Sequence, residues 1–230
     1  MQKTGRLLPI VAALFVTCLL TANIIAVKLF VVAGVALPAG VVIFPLSYLF
    51  GDVLTEVYGY AQARRVIWLG FVCNLLMVVA IWIAQELPPA PFWQGQRAYE
   101  QILGFTPRLL VASFVAYLVG EFANSFVLAK LKIATKGRWL WTRTISSTLV
   151  GQLLDSTVFI TLAFVGTGVP ALEWLILAQW LFKSAYEVVA TPLTYLVVNT
   201  LKRIEGIDTF DYGTNFNPIL IAANDPAGSH

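Results

Sequence analysis

Six long apolar stretches constrain the fold of this chain more than any other feature. A helix needs about 20 apolar residues to cross the hydrocarbon core of a bilayer. The stretches cover about residues 7–30, 37–58, 65–86, 108–130, 144–166 and 174–200. Only 12% of the 230 residues are charged, against roughly 25% in soluble domains. The sequence therefore predicts an all-α integral membrane protein, with a six-helix transmembrane domain over residues 1–204 and a mobile, cytosolic polar tail over 205–230.

The distribution of basic residues predicts the orientation. Of the 15 Lys and Arg residues, 11 lie in termini and loops on one side, 2 on the other side and 2 within the spans. Cytosolic segments of membrane proteins are enriched in Lys and Arg. We therefore expect both chain ends in the cytosol.

The second and fifth predicted helices share a pattern of small and polar residues. One carries Ser47-x-x-x-Gly51-Asp52 and the other carries Ser147-x-x-x-Gly151-Gln152. Three helices per half would give the two halves opposite orientations, as in inverted-repeat transporters. The pattern favours a 3+3 inverted repeat.

Ionisable side chains interrupt the apolar stretches. A charge near the bilayer centre costs roughly 2.5–3.5 kcal/mol on insertion scales, and such residues usually line substrate or ion paths. These residues are Lys28, Asp52, Glu56, Glu121, Asp155, Lys183 and Glu187. Their number indicates a transporter rather than a set of membrane anchors.

Structural roles remain open for four of these residues. Lys183 and Glu187, one helical turn apart, could neutralise each other, and Glu56 could pair with Arg64 or Arg65. Lys28 could extend its ammonium group to the membrane interface. With every group ionised, the five carboxylates and two lysines carry a net charge of −3. Such a site would favour neutral or cationic ligands, and one carboxyl could exchange protons during transport.

Helical spacing places carboxylates, amides, hydroxyls and aromatic rings on common faces of the predicted helices. In the last helix, Gln179, Lys183, Tyr186 and Glu187 share one face. This mixture suits a flat ligand with hydrogen-bonding edges and stackable faces better than it suits a bare ion.

Three sequence blocks resemble the queuosine precursor transporter family, also called the vitamin uptake transporter family. The blocks contain Gly51-Asp52-x-x-x-Glu56, Glu121-x-x-Asn124-Ser125 and Ser147-x-x-x-Gly151-Gln152-x-x-Asp155. The resemblance covers about residues 10–203. It implies a multi-pass protein of a bacterial inner membrane. It also implies import of 7-cyano-7-deazaguanine, or of cationic 7-aminomethyl-7-deazaguanine, for making queuosine in tRNA.

The resemblance also supplies candidate substrate-binding residues. By this hypothesis Asp155 and Glu121 accept hydrogen bonds from the ring N–H and exocyclic amine, while Gln152 and Asn124 pair with the carbonyl edge. The full candidate set is Asn23, Tyr48, Asp52, Glu56, Glu121, Asn124, Gln152, Asp155, Trp180, Lys183, Tyr186 and Glu187. Tyr48, Trp180 and Tyr186 are its candidates for stacking on the base. No cofactor or metal is expected.

Other classes of protein remain as alternatives. A substrate-binding subunit of an energy-coupling-factor transporter would be similarly small and would need ATPase partners. This chain has no Walker motif, and its only histidine is His230, which argues against ATP hydrolysis and against an intramembrane enzyme. The basic segment 130–143 is typical of a cytosolic loop rather than a nucleic-acid surface. A homodimer is plausible, although the sequence indicates no interface.

Overall fold

Helices make up most of the structure, a computed structural model that describes residues 5–32, 35–104, 107–168 and 171–220. The α-helices of this part of the chain are α1 Leu8–Ile25, α2 Phe44–Val53, α3 Tyr60–Glu86, α4 Gln96–Leu103, α5 Pro107–Ala134, α6 Leu140–Phe164 and α7 Leu172–Glu205. A β-hairpin of β1 (Leu29–Val32) and β2 (Val35–Pro38) and a 3-10 turn (Ala39–Val42) connect α1 to α2. A π-helical turn, Leu54–Tyr58, follows α2.

Within the described residues, four stretches are long and apolar enough to cross a membrane. They are Leu8–Ile25, Tyr60–Glu86, Gln96–Ala134 (which contains α4 and α5) and Leu140–Phe164. Together with α2 and α7 they correspond to the six predicted helical segments. The chain is therefore a mainly helical, multi-pass membrane protein, whereas its orientation and the inverted repeat stay predictions.

The connection between the first two helices differs from the prediction. The expected helices over 7–30 and 37–58 are shorter in the structure, because α1 ends at Ile25 and α2 begins only at Phe44. The antiparallel hairpin between them pairs Leu29 with Pro38 and Val32 with Val35. This segment is rich in valine, whose β-branched side chain favours strands, so the predicted helix bounds are wrong here, while the chain as a whole remains an all-α membrane protein. A proline in the first turn of α2 fits the preference for proline at helix starts.

Small residues let α5 and α6 cross closely. A Cβ atom added at Gly151 would lie 2.8 Å from the Cβ of Asn124 and 2.9 Å from the carbonyl oxygen of Gly120. Contacts of this kind bring membrane helices close enough for backbone packing. The crossing places Asp155 of α6 beside α5.

The apolar core lies among α1, α2, α3 and the π-helical turn, and it includes Phe15, Leu19, Leu49, Val53, Leu54 and Ile67. Large apolar side chains also cover the outer faces of the long helices. Examples are Leu76 and Trp82 on α3 and Val189 and Leu196 on α7, all of them exposed. Apolar residues on both the inner and the outer faces are expected of helices surrounded by lipid.

Both ends of the described chain meet at one end of the bundle, which we call the terminal end. The backbone N–H of Leu7 donates a hydrogen bond to Glu205 Oε1 over 2.5 Å. An even number of membrane crossings would place the two ends in this way. The side of the membrane on which the terminal end lies stays a prediction.

Residues 207–219, here called the C-terminal strap, pack across the terminal end. The Asp211 carboxylate accepts hydrogen bonds from the backbone N–H of Tyr60 at 3.0 and 3.1 Å, where α3 begins and a negative charge is favourable. Arg64 donates to the carbonyl oxygens of Asn215 (2.7 Å) and Asn217 (2.9 Å). The expected mobile tail is therefore wrong for this segment, while residues 221–230 lie outside the described residues.

Candidate functional site

A cavity of about 340 Å³ lies among the helices in the half of the bundle away from the terminal end. Its wall combines the C-terminal part of α1, the start of α2, the middle of α3, the N-terminal half of α5, and parts of α6 and α7. Small-molecule pockets usually occupy about 300–1,000 Å³. The cavity is therefore large enough for a small organic ligand.

An ion pair supplies the charges of the described cavity wall. Lys183 Nζ on α7 lies 2.5 Å from Asp155 Oδ2 on α6, and also 4.7 Å from the centroid of the Phe44 ring. The described lining residues carry no other formal charge. Lys183 is thus paired with Asp155 rather than with Glu187, and the wall is electrically neutral overall.

Amide groups provide hydrogen-bonding positions in the cavity. Asn23 Nδ2 on α1 donates to Asn74 Oδ1 on α3 over 3.0 Å, which leaves the Asn23 side-chain oxygen and both N–H groups of the Asn74 amide for other partners. Gln179 Oε1 is buried and has no hydrogen-bond partner within the described part of the chain. A buried acceptor without a partner is costly, so a ligand N–H at this position would be stabilising.

Aromatic rings form much of the remaining wall, namely Phe44, Tyr117, Phe159, Phe182 and Tyr186. The Tyr117 hydroxyl donates to the backbone carbonyl of Ile67 over 3.0 Å, which fixes the position of the ring. A cavity with rings on its walls and amides between them can hold a planar, hydrogen-bonding molecule.

Beneath the cavity lie three buried carboxyl groups, here called the acidic layer: Asp52, Glu121 and Glu187. They follow the cavity residues on α2, α5 and α7 toward the terminal end, and none is more than 2% exposed. Asp52 Oδ1 accepts a hydrogen bond of 2.8 Å from Asn124 Nδ2. One oxygen of each carboxyl has no partner among the described residues.

Glu56 lies still closer to the terminal end, in the π-helical turn. Its Oε1 atom is 2.7 Å from Arg143 Nη2, 2.8 Å from Lys202 Nζ and 3.6 Å from Lys132 Nζ. Asp208 of the C-terminal strap pairs with Lys132 (2.5 Å) and Lys202 (2.9 Å). These five residues, here called the terminal charge cluster, join α5, α6, α7, the π-helical turn and the strap, and they replace the expected pairing of Glu56 with Arg64 or Arg65.

The predicted site residues therefore occupy three levels. The cavity brings together Asn23, Asp155, Lys183 and Tyr186. Buried outside the cavity lining are Tyr48, Asp52, Glu121, Asn124, Gln152 and Glu187. Glu56 belongs to the terminal charge cluster. Trp180 is not among the lining residues, and its indole N–H donates to the Leu149 carbonyl over 2.9 Å.

The sequence-based candidate set omitted several lining residues, including Phe44, Asn74, Phe159 and Gln179. Asn74 had a signal, because it is the only amide in the apolar run 66–83. The two phenylalanines had none, since a phenylalanine in an apolar helix is ordinarily a packing or lipid-facing residue.

Apolar helices around a mainly apolar, electrically neutral cavity with a few polar groups define a multi-pass membrane protein suited to moving a small molecule. The sequence model of the family described as putative vitamin uptake transporter matches residues 38–197, and the chain belongs to this family. The family resemblance of the three sequence blocks is thereby confirmed. Members of this family are transporters, not enzymes.

Curated relatives agree with this membership. The chain is 33% identical over 177 residues to the probable queuosine precursor transporter of Bacillus subtilis, covering 76% of this chain and 77% of the relative. It is 31% identical over 121 residues to the queuosine precursor transporter of Escherichia coli, covering 53% and 52%. A probable queuosine precursor transporter of Haemophilus influenzae is 27% identical over 169 residues, covering 71% and 69%. No solved structure matches the chain.

Proposed function

We propose that this protein imports a queuosine precursor across a bacterial cell membrane and that 7-cyano-7-deazaguanine is its preferred substrate. The names of three relatives support the substrate class. The neutral, partly aromatic cavity of about 340 Å³ is the observation that carries the choice of substrate.

The charge of the cavity wall favours the neutral cyano compound over the cationic aminomethyl compound. The sequence alone suggested a net negative site, but Glu56 belongs to the terminal charge cluster and Asp155 is already paired with Lys183. A cationic ligand would have to compete with Lys183 for Asp155 or enter without a counter-ion. A neutral base meets no such cost.

The polar groups of the cavity match the edges of a deazaguanine. Asp155 and Gln179 offer oxygens to the ring N–H and the exocyclic amine, and the Asn23–Asn74 pair offers both a donor and an acceptor. The aromatic rings offer faces on which the base can stack. Stacking would fix the plane of the bound base, which hydrogen bonds to its edges alone would not fix. The deeper candidates act beneath this site rather than on the substrate.

With both chain ends in the cytosol, the cavity lies in the outer half of the bundle, while the terminal charge cluster and the strap cover the inner end. Import would then require this cluster to separate after the substrate binds. The described arrangement corresponds to a state that receives substrate from outside.

Bacterial cells that lack both their own transporter and precursor synthesis test this function. They would express this chain alone and receive 7-cyano-7-deazaguanine at limiting concentration, and queuosine in tRNA would be measured. We expect rescue by the wild-type protein, loss with Asp155→Asn, and retention with Glu86→Gln, which changes an exposed carboxyl at the end of α3.

No rescue by wild-type protein that is present in the membrane would contradict the proposal as stated. Rescue only together with ATPase subunits would assign the chain to energy-coupling-factor transporters. A stronger response to the aminomethyl compound would keep the function but overturn the assigned substrate preference.

A further inference from the structure

The acidic layer has no cationic partner in the described part of the chain. Ion pairs in those residues engage Glu56, Asp155 and Asp208, and none engages Asp52, Glu121 or Glu187. Three negative charges without counter-ions would be strongly unfavourable in an environment of low dielectric constant. Something positive must therefore accompany these carboxyl groups.

Glu121 is central among the charged and titratable groups of this region. It interacts electrostatically with Asp155 of α6 and Glu187 of α7. It also interacts with Asp52 and Tyr48 of α2, and with Tyr117 of its own helix. Lys183, the cation of the cavity wall, is already 2.5 Å from Asp155. Each of these groups around Glu121 thus brings either a like charge or a neutral hydroxyl.

Other buried polar atoms beside the layer also lack partners. The Tyr48 hydroxyl and Gln152 Oε1 are buried without a hydrogen bond to any described residue. A Cβ atom added at Gly120 would lie 2.8 Å from the Cβ of Asp155 and 3.1 Å from the Tyr48 hydroxyl. The Tyr48 hydroxyl therefore lies beside Gly120 and near the cavity residue Asp155, buried and without a partner among the described residues.

The missing positive partner is better supplied by a proton than by a metal ion. A metal ion needs several oxygen or nitrogen ligands around one point. The described residues contain no group of three or more His, Cys, Asp or Glu side chains arranged to hold one. A proton needs only one carboxyl oxygen, and each member of the layer has a free one.

We propose that the acidic layer is a proton-binding site, centred on Glu121, whose proton crosses the membrane together with the substrate. The coupling rests on the proposed transport function. In the outward-facing state, a carboxylate oxygen forms an O–H bond with a proton from water. When the inner end opens, this bond breaks, the proton passes to cytosolic water, and the carboxylate returns to bind another. One proton thus enters for each carboxyl that cycles.

Infrared difference spectroscopy tests the site without any substrate. Purified wild-type protein and Glu121→Gln would be compared at neutral pH. We expect the variant to lose C=O intensity from a protonated carboxyl group. Loss of carboxylate intensity instead would show that Glu121 is ionised and would overturn the proposal.

Glu86→Gln is the matched control for this measurement. Glu86 is exposed at the end of α3, so this variant should leave the C=O intensity of the protonated carboxyl unchanged. If Glu121→Gln fails to fold, Asp52→Asn and Glu187→Gln provide the same comparison within the layer. Carboxylate loss in both of these variants would equally contradict a protonated layer.

Proteoliposomes with an internal pH indicator test the coupling. We expect 7-cyano-7-deazaguanine entry through wild-type protein to acidify the lumen, and we expect this signal to vanish in Glu121→Gln but not in Glu86→Gln. Substrate entry without acidification would overturn the coupling. Absence of substrate entry would contradict the proposed transport function, and the infrared result would then judge the proton site by itself.

Discussion

The ammonium nitrogen of Lys183 lies 2.5 Å from a carboxylate oxygen of Asp155, and the pair joins α7 to α6 across the wall of the cavity. The two side chains are only 12% and 8% exposed. Such a pair has two consequences. It makes the net charge of the cavity wall zero. It also means that removing either side chain leaves the other charge buried and unpaired.

Removing one member of this pair should destabilise the protein. Breaking a buried ion pair costs about 3–5 kcal/mol, because the remaining charge is uncompensated, and the slight exposure of this pair favours the lower end. We expect Lys183→Gln and Asp155→Asn to unfold at lower temperature in detergent. The double variant should recover most of the loss while uptake stays low.

The change Glu173→Gln, at the exposed start of α7, serves as control and should alter neither property. A double variant no more stable than the single ones would show that the two residues are not coupled.

Glu56 should be the most sensitive residue of the terminal end. It is fully buried, and Glu56→Gln would leave Arg143 without an acidic partner in the described cluster and Lys132 and Lys202 with Asp208 alone. We expect a large drop in thermal stability, and easier maleimide labelling of a cysteine introduced at buried Thr144. Glu205→Gln, which removes the charge but keeps an oxygen that can accept from the Leu7 N–H, should have a smaller effect. Equal effects of Glu56→Gln and Glu205→Gln would contradict the idea that the terminal charge cluster holds the inner end of the bundle closed.

The close crossing of α5 and α6 should not tolerate an added methyl group. Gly151→Ala would place Cβ 2.8 Å from Asn124 Cβ and 2.9 Å from the backbone oxygen of Gly120, so the helices must separate. Overpacking of this kind typically costs about 1–3 kcal/mol. We expect lower thermal stability and reduced uptake, whereas Val150→Leu, at the exposed neighbouring position, should behave as wild type. Normal uptake by Gly151→Ala would argue against this crossing.

The attachment of the C-terminal strap should weaken in acid. Burial alone would raise the pKa of Asp208, but hydrogen bonds from Lys132 and Lys202 prevail and hold that pKa below its usual value. A carboxyl with a lowered folded-state pKa stabilises the fold above its unfolded pKa, about 3.9, and this contribution disappears as pH falls through the folded value. Below about pH 4, the unfolding temperature of Asp208→Asn should therefore change less with pH than that of the wild-type protein. An unchanged pH dependence would contradict this role.

Cavity residues should affect substrate affinity more than Trp180, a predicted site residue that lies outside the lining. Asn74→Ala removes a hydrogen-bonding group worth about 1 kcal/mol, so we expect about fivefold weaker binding of 7-cyano-7-deazaguanine. Trp180→Phe removes only the hydrogen bond to the Leu149 carbonyl and should change affinity less than about twofold. Binding to purified protein by titration calorimetry would distinguish the two, and the reverse order would place the site elsewhere.

The sequence predicted the long helices well, because uninterrupted apolar runs of about 20 residues have few other solutions in a membrane. It failed between α1 and α2, where a valine-rich run fits a helix or a strand equally well and periodicity does not separate them. The hairpin pairing of Val32 with Val35 is a choice that depends on tertiary context.

The partners of the charged residues could not be predicted either. Glu56 pairs with Arg143, 87 positions away, whereas local spacing pointed to Arg64, whose guanidinium instead binds carbonyl oxygens of the strap. Helical periodicity identifies which residues share a face, but it does not give the rotation of one helix against another. For the same reason, Asn23 and Asp155 were predicted site residues while their neighbours Asn74 and Phe159 were not.

Uptake of labelled 7-cyano-7-deazaguanine into proteoliposomes that contain only this purified chain tests the central claim most directly. We predict time-dependent, saturable entry into these vesicles without ATP or other subunits, abolished by Asp155→Asn and retained by Glu86→Gln. Entry no faster than into protein-free vesicles, with folded protein in the membrane, would contradict the account.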